Sequence, residues 1–175
     1  MRKTVRLFAV CLVALAVGMG HAQAVGAPSG VADKPHDKLA HLRAERPLVV
    51  PTIFRHGDVS WLTQLATEAG WPKRTHKKLA QIILRESGGC PNRKGGDVVD
   101  KYCNIIRVSE WNHRSDTGLL QINGVHWKQD HPSYHGLICK EMGICTQEPL
   151  LDALTNLRAG KLLFDVAGWS PWGMN

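Results

Sequence analysis

The sequence predicts a mainly helical α+β domain, on three observations. Apolar residues recur at helical spacing in three stretches, around 61–69, 79–83 and 150–162. Two short β-prone pieces, Val98-Val99 and Ile105-Ile106, lie within glycine-bearing polar sequence. Glycines stand where two of the helices should stop, at Gly70 and at Gly88-Gly89. A chain of 175 residues has room for one domain with a core. Hydrophobic residues make 43% and charged residues 21%, which excludes wholesale disorder and a collagen-like chain.

The first element is an address. Arg2, Lys3 and Arg6 form a positive segment, Leu7 to Val17 an apolar one, and Ala22-Gln23-Ala24 a small-x-small cleavage site. Residues 1–24 therefore read as a signal peptide, with a permanent anchor as the alternative. The apolar run is short against the ~20 residues of a membrane span, and no second one exists, so no membrane span is expected after cleavage. Cys11 lacks the small residue a lipoprotein site needs before it. Loss of three basic residues with this leader lowers the formal charge from +7 to +4. No basic stripe interleaved with aromatics is present, so nucleic acid is not expected as a partner.

Residues 25–57 hold Pro28, Pro35, Pro47 and Pro51 without sustained periodicity and read as a linker or N-terminal arm, with a short helix conceivable over Lys38 to Arg46. Asp58 is placed to cap a helix that puts Trp61, Leu62, Leu65, Ala66 and Ala69 on one face and ends at Gly70. Pro72 stands near the start of a second helix, reaching about Ser87. Residues 90–117 read as irregular or hairpin-like, and Gly118 to Asn123 as a compact apolar stretch. A loop follows, and a last helix from about Pro149 carries Leu150, Leu151, Leu154, Leu157 and Leu162 before Trp169-Ser-Pro-Trp172. Six Trp against two Tyr and three Phe favour tryptophan-lined grooves over an aromatic-rich core.

Four cysteines remain beyond the leader: Cys90, Cys103, Cys139 and Cys145. In an oxidising compartment they read as two disulfides with three possible connectivities. Nearest-neighbour pairing, Cys90–Cys103 and Cys139–Cys145, is expected because it staples two short loops. A zinc site assisted by His126, His131 and His135 is the competing reading, but neither C-x2-C nor H-E-x-x-H spacing occurs. No metal and no cofactor are expected.

The second helix carries the feature with chemical content. Its apolar stripe runs Leu79, Ile82, Ile83, and the next position on that stripe is Glu86. A carboxylate on an apolar face is costly unless it is paired, exposed at the helix end, or useful. Burial there would favour the protonated carboxyl that a general acid requires. The alternative is an exposed residue paired with Arg85 or Lys78.

Glu86-Ser87, followed by Ser115-Asp-Thr-Gly-Leu-Leu-Gln-Ile-Asn123 and Asn156-Leu-Arg-Ala-Gly160, resembles the lysozyme superfamily, in particular its soluble-lytic-transglycosylase-like domains. The resemblance spans about residues 74–173 and implies a lysozyme-like glycosidase domain over 58–175. It further implies cleavage of the β-1,4 bond between N-acetylmuramic acid and N-acetylglucosamine in peptidoglycan, with Glu86 as general acid/base. Ser87, Gly118, Leu119, Gln121 and Asn123 would line the sugar cleft. Trp127 and Trp111 would either stack on sugar faces or belong to the core.

Asp116 stands where chicken-type lysozymes place their second catalytic carboxylate; an ordinary turn residue is the alternative. The tyrosine-bearing Ala-Tyr-Asn-Ala-Gly motif of many transglycosylases is missing, with Ala167-Gly-Trp-Ser-Pro-Trp172 in the comparable place. The resemblance thus implies a lytic transglycosylase, with a hydrolytic lysozyme using Glu86 and Asp116 as the alternative. A non-catalytic peptidoglycan-binding or structural protein is the alternative from another class. Asp97, Asp100 and Glu110 are the next candidate acids. The expected setting is the periplasm, cell wall or cell exterior, as a monomer with peptidoglycan strands as partner.

Overall fold

The computed structural model describes residues 50–51, 53–110, 115–129 and 136–173. The leader, the possible helix over 38–46, Trp111, His131 and His135 lie outside the described residues. Helix α1 spans Leu62–Glu68, α2 His76–Glu86, α3 Leu137–Met142 and α4 Ala153–Ala167; strands β1 (Val98–Val99) and β2 (Ile105–Arg107) form an antiparallel pair. The chain is mainly helical with one small sheet. Among the described residues no helix is long and apolar enough to cross a membrane.

Helix α1 starts later than its sequence suggests. Asp58 accepts the Ser60 N–H at 2.8 Å, an Asx turn, and the Trp61 indole N–H donates to the Asp58 carbonyl at 3.0 Å. Asp58 thus folds the approach rather than capping the helix, whose N-cap position is held by Trp61. Leu62, Leu65 and Ala66 face inward as their spacing requires. The segment before it, read from sequence as the end of a linker, is packed from Phe54 onward. Phe54 sets its ring edge-on against Trp61 at 5.1 Å and lies on the core. Pro72 begins a 3-10 turn over Lys73–Thr75 that leads into α2, where Leu79, Ile82 and Ile83 are fully buried.

The β-prone pieces pair as expected, but unevenly. Val98 faces Arg107 and Val99 faces Ile105, so Ile106 is the extra residue of a bulge. The Cys90–Cys103 and Cys139–Cys145 disulfides form, the nearest-neighbour pairing. A helix also occupies what reads in sequence as loop: Leu137–Met142 fits between Gly136 and Gly143, both at positive φ.

Helix α4 begins at Ala153 rather than Pro149, because Asp152 accepts the Thr155 N–H at 2.8 Å and Glu148–Leu151 forms a separate 3-10 turn. Its innermost face is the small-residue face of Ala153, Asn156, Ala159 and Gly160, together with Leu157 and Leu163. Leu151, Leu154 and Leu162 are only half-buried. Small side chains let another backbone approach closely, and the 117–122 turn does so. Of the described tryptophans, Trp71, Trp127 and Trp172 are buried in the core and Trp61 and Trp169 pack against it. Trp71 stacks on Trp169 at 5.6 Å and meets Phe164 at 5.1 Å, Trp172 is buried beside them, and the Trp71 indole N–H donates to the Leu157 carbonyl at 2.9 Å.

Candidate functional site

Glu86 occupies the last position of α2, half-buried, and its Oε1 accepts from Arg85 Nε at 2.9 Å and Nη2 at 2.6 Å. The same Nη2 donates to the Trp172 carbonyl at 2.7 Å. The pairing with Arg85 that the sequence left open is therefore present. Ser87 is fully buried. Its hydroxyl bonds the Ile83 carbonyl at 3.2 Å and receives the Gly89 N–H at 3.2 Å, so it closes the helix end and is committed to that turn. Gly88 follows at φ +66, and a Cβ there would fall 2.2 Å from His56 Nε2. The Gly57 N–H donates to the Gly88 carbonyl at 2.7 Å, and the His56 N–H to the Lys101 carbonyl at 3.1 Å. Residues 56–57 thus join the helix end to the turn of the β1–β2 hairpin.

The second half of the candidate site is the 117–122 turn. Thr117 and Ile122 exchange backbone bonds at 3.1 and 3.0 Å. Gly118 sits inside at φ +74, where a Cβ would meet Asn156 Nδ2 at 2.2 Å and the Leu150 carbonyl at 2.4 Å. Only glycine meets both demands. Asn156, fully buried in α4, makes three bonds, two to this turn and one to the 3-10 turn Glu148–Leu151. Its Oδ1 accepts the Leu120 N–H at 2.9 Å, and its Nδ2 donates to the carbonyls of Thr117 at 2.9 Å and Leu150 at 2.8 Å. One helical turn on, a Cβ on Gly160 would lie 2.1 Å from Leu120 Cδ1. The Trp172 indole N–H donates to the Leu120 carbonyl at 3.0 Å. The Asn156-x-x-x-Gly160 spacing therefore clamps the Gly118–Ile122 segment, and Trp172 links that segment through Arg85 to Glu86.

Several of the residues expected at the sugar cleft have structural duties. Leu119 is fully buried. Gln121, at φ +46, donates Nε2 to the carbonyls of Arg93 at 3.0 Å and Gly118 at 2.9 Å, tying the turn to the loop after Cys90. Trp127 is buried, 8% exposed, with its indole N–H 3.3 Å from the Ser115 carbonyl; this is the core alternative for that residue. Asn123 caps the 3-10 turn Gly124–His126 by accepting the Val125 N–H, and its Nδ2 donates to Asp116 Oδ1. Asp116 also accepts the Gly95 N–H through its carbonyl at 2.9 Å. Asp116 stands immediately before the clamped turn.

Sequence reasoning missed Arg85 as the link between Glu86 and the C-terminal turn, and His56 against Gly88. The only available signal for the latter was the glycine pair itself. Of the reserve acids, Asp97 is fully buried, with Oδ1 accepting the Ser109 N–H at 2.8 Å and Oδ2 the Lys94 N–H at 3.3 Å. Asp100 accepts from Asn104 and from the Tyr102 N–H, and those hydrogen bonds, Asn104's first, hold its carboxyl below the usual range. Burial pushes the His126 imidazole down. No group of three or more candidate metal ligands occurs among the described residues. Compared with known proteins, the chain matches no family model, and neither the curated proteins nor the solved structures yield a match.

Proposed function

We propose that the protein is a peptidoglycan-cleaving glycosidase of the lytic transglycosylase type, built on a lysozyme-like fold and acting outside the cytoplasm, with Glu86 as general acid/base. One chain of contacts supports the reading: Glu86 to Arg85, Arg85 to Trp172, Trp172 to Leu120, and Leu120 to Asn156. Three segments distant in sequence, each carrying part of the motif set, are thereby joined through Arg85 and Trp172.

Protonated Glu86 donates to the glycosidic oxygen as the bond to the muramyl carbon breaks, leaving an oxocarbenium-like sugar. Such proton transfer is worth about 10²–10⁴-fold. Deprotonated Glu86 then takes the proton of the muramyl 6-hydroxyl as that oxygen closes on the anomeric carbon, giving a 1,6-anhydro product. Arg85 must first release Oε1. The pair is partly solvated, Arg85 at 49% and Glu86 at 25% exposure, and an incoming glycan takes the place of the guanidinium on Oε1. Asp116, engaged by Asn123, shapes the turn and does not activate water.

The test is mass spectrometry of products from purified sacculi. The proposal expects 1,6-anhydromuropeptides, and an Asp116→Asn protein that still releases them. Reducing-end products, together with an inactive Asp116→Asn, would replace it with a hydrolytic lysozyme. Sacculus binding without any product would replace it with a binding module.

A further inference from the structure

Exposed apolar side chains gather on the β1–β2 hairpin and its surroundings. Ile105, Ile106 and Val108 are exposed, Ile106 at 65%, as is Tyr102 on the connecting turn. Ile53, at 69%, lines a groove with Tyr102. Cations lie on the same hairpin and beside Tyr102: Arg55 and Lys101 lie 5.7 and 4.8 Å from the centre of the Tyr102 ring, and Arg107 is exposed in β2 between Ile106 and Val108 in sequence. The nearby acid Asp100 is engaged by the N–H groups of Tyr102 and Asn104. Glu110, beyond the strand, borders a second concavity with Arg107 and Val108.

We propose that this hairpin docks the protein on an anionic lipid surface. Ile106, Val108 and Tyr102 enter the headgroup layer, and Arg55, Lys101 and Arg107 face the phosphates. Exposed apolar side chains with cations nearby and an amphipathic aromatic match that interface. The bulge at Ile106 interrupts the ladder, which makes β2 a poor template for a strand of another protein. A second copy would bring like charges together. The inference stands apart from the glycosidase reading, since it uses neither Glu86 nor the clamped turn.

The experiment is co-sedimentation of the full protein, freed of residues 1–24, with vesicles of phosphatidylglycerol and phosphatidylcholine, and with phosphatidylcholine alone. Affinity for the anionic vesicles should be about tenfold higher or more, and should fall with added salt. Ile106→Ser should weaken it by about tenfold, as should Lys101→Gln with Arg107→Gln. Val166→Ser, which changes an equally exposed apolar residue on α4, should leave it unchanged. Near-ultraviolet circular dichroism identifies variants that keep the fold. Equal binding to both vesicles, no binding, or folded hairpin variants that bind like the parent would each overturn the proposal. Self-association abolished by Ile106→Ser would overturn it in favour of a second copy.

Discussion

Replacing Asn156 by leucine tests whether α4 holds the 117–122 turn through that one side chain. The shapes are close, so the change removes hydrogen bonds rather than volume. Thr117 keeps its bond from the Ile122 N–H at 3.0 Å. The Leu120 N–H and the Leu150 carbonyl each lose a partner in a fully buried place. An unsatisfied buried group costs about 1–3 kcal/mol. Two of them, less about 1 kcal/mol regained by the apolar side chain, give a loss of about 1–5 kcal/mol with about 3 as the central value. That is a large share of the 5–15 kcal/mol typical of a domain. Urea unfolding with disulfides intact measures it as a lower midpoint at unchanged slope. On the proposed function, sacculus cleavage should fall as well, because Leu120, which Trp172 links to Arg85, loses its hold on α4. A loss well under 1 kcal/mol would refute the reasoning.

Other expectations follow from the same geometry. Gly118→Ala should cost at least about 2–4 kcal/mol in urea unfolding, combining a positive φ with collision against Asn156 and the Leu150 carbonyl. His126, lowered by burial, binds its proton less readily folded than unfolded. Between its folded value and about 6.5 the unfolded chain holds the extra proton, so stability rises with pH across that window and is lost on acidification through it. Urea midpoints from pH 5 to 8 should show this slope, and His126→Gln should flatten it. Cys90→Ser with Cys103→Ser should lower stability by about 3 kcal/mol, since the bridge closes a loop with a sequence separation of 13; an unchanged midpoint would deny the bridge that role.

Local pattern made much of this molecule legible. The Leu79, Ile82, Ile83 stripe, the paired valine and isoleucine pieces and the cysteine spacing all report on neighbours a few residues away, and each appears as read. The Asn156-x-x-x-Gly160 and Gly118–Ile122 segments were legible only as motifs. Their physical relation, a side-chain amide bonded to backbone 36 and 39 residues distant, has no periodic signature. Of the leucines read along the last helix, Leu150 and Leu157 are buried and Leu154 and Leu162 pack partly against the core, while close approach of the turn selects the small residues of the innermost face. Phe54 and His56 escaped because the prolines before them suggested a linker, while their partners, Trp61 and Gly88, announce nothing in sequence. Ser87 and Gln121 carry polar groups to which the resemblance assigns sugar contacts; their bonds to the helix end and to the loop at Arg93 have no local sequence signature.

The measurement closest to the central claim is the sacculus-cleaving rate of Glu86→Gln beside the parent protein. The amide keeps size and an oxygen for Arg85 to bond, so the unfolding midpoint should move by no more than about 1 kcal/mol. The proton to be donated is gone, and the rate should drop at least about 10²-fold. A folded Glu86→Gln protein that releases muropeptides at the parent rate would contradict the account and move the chemistry away from the end of α2.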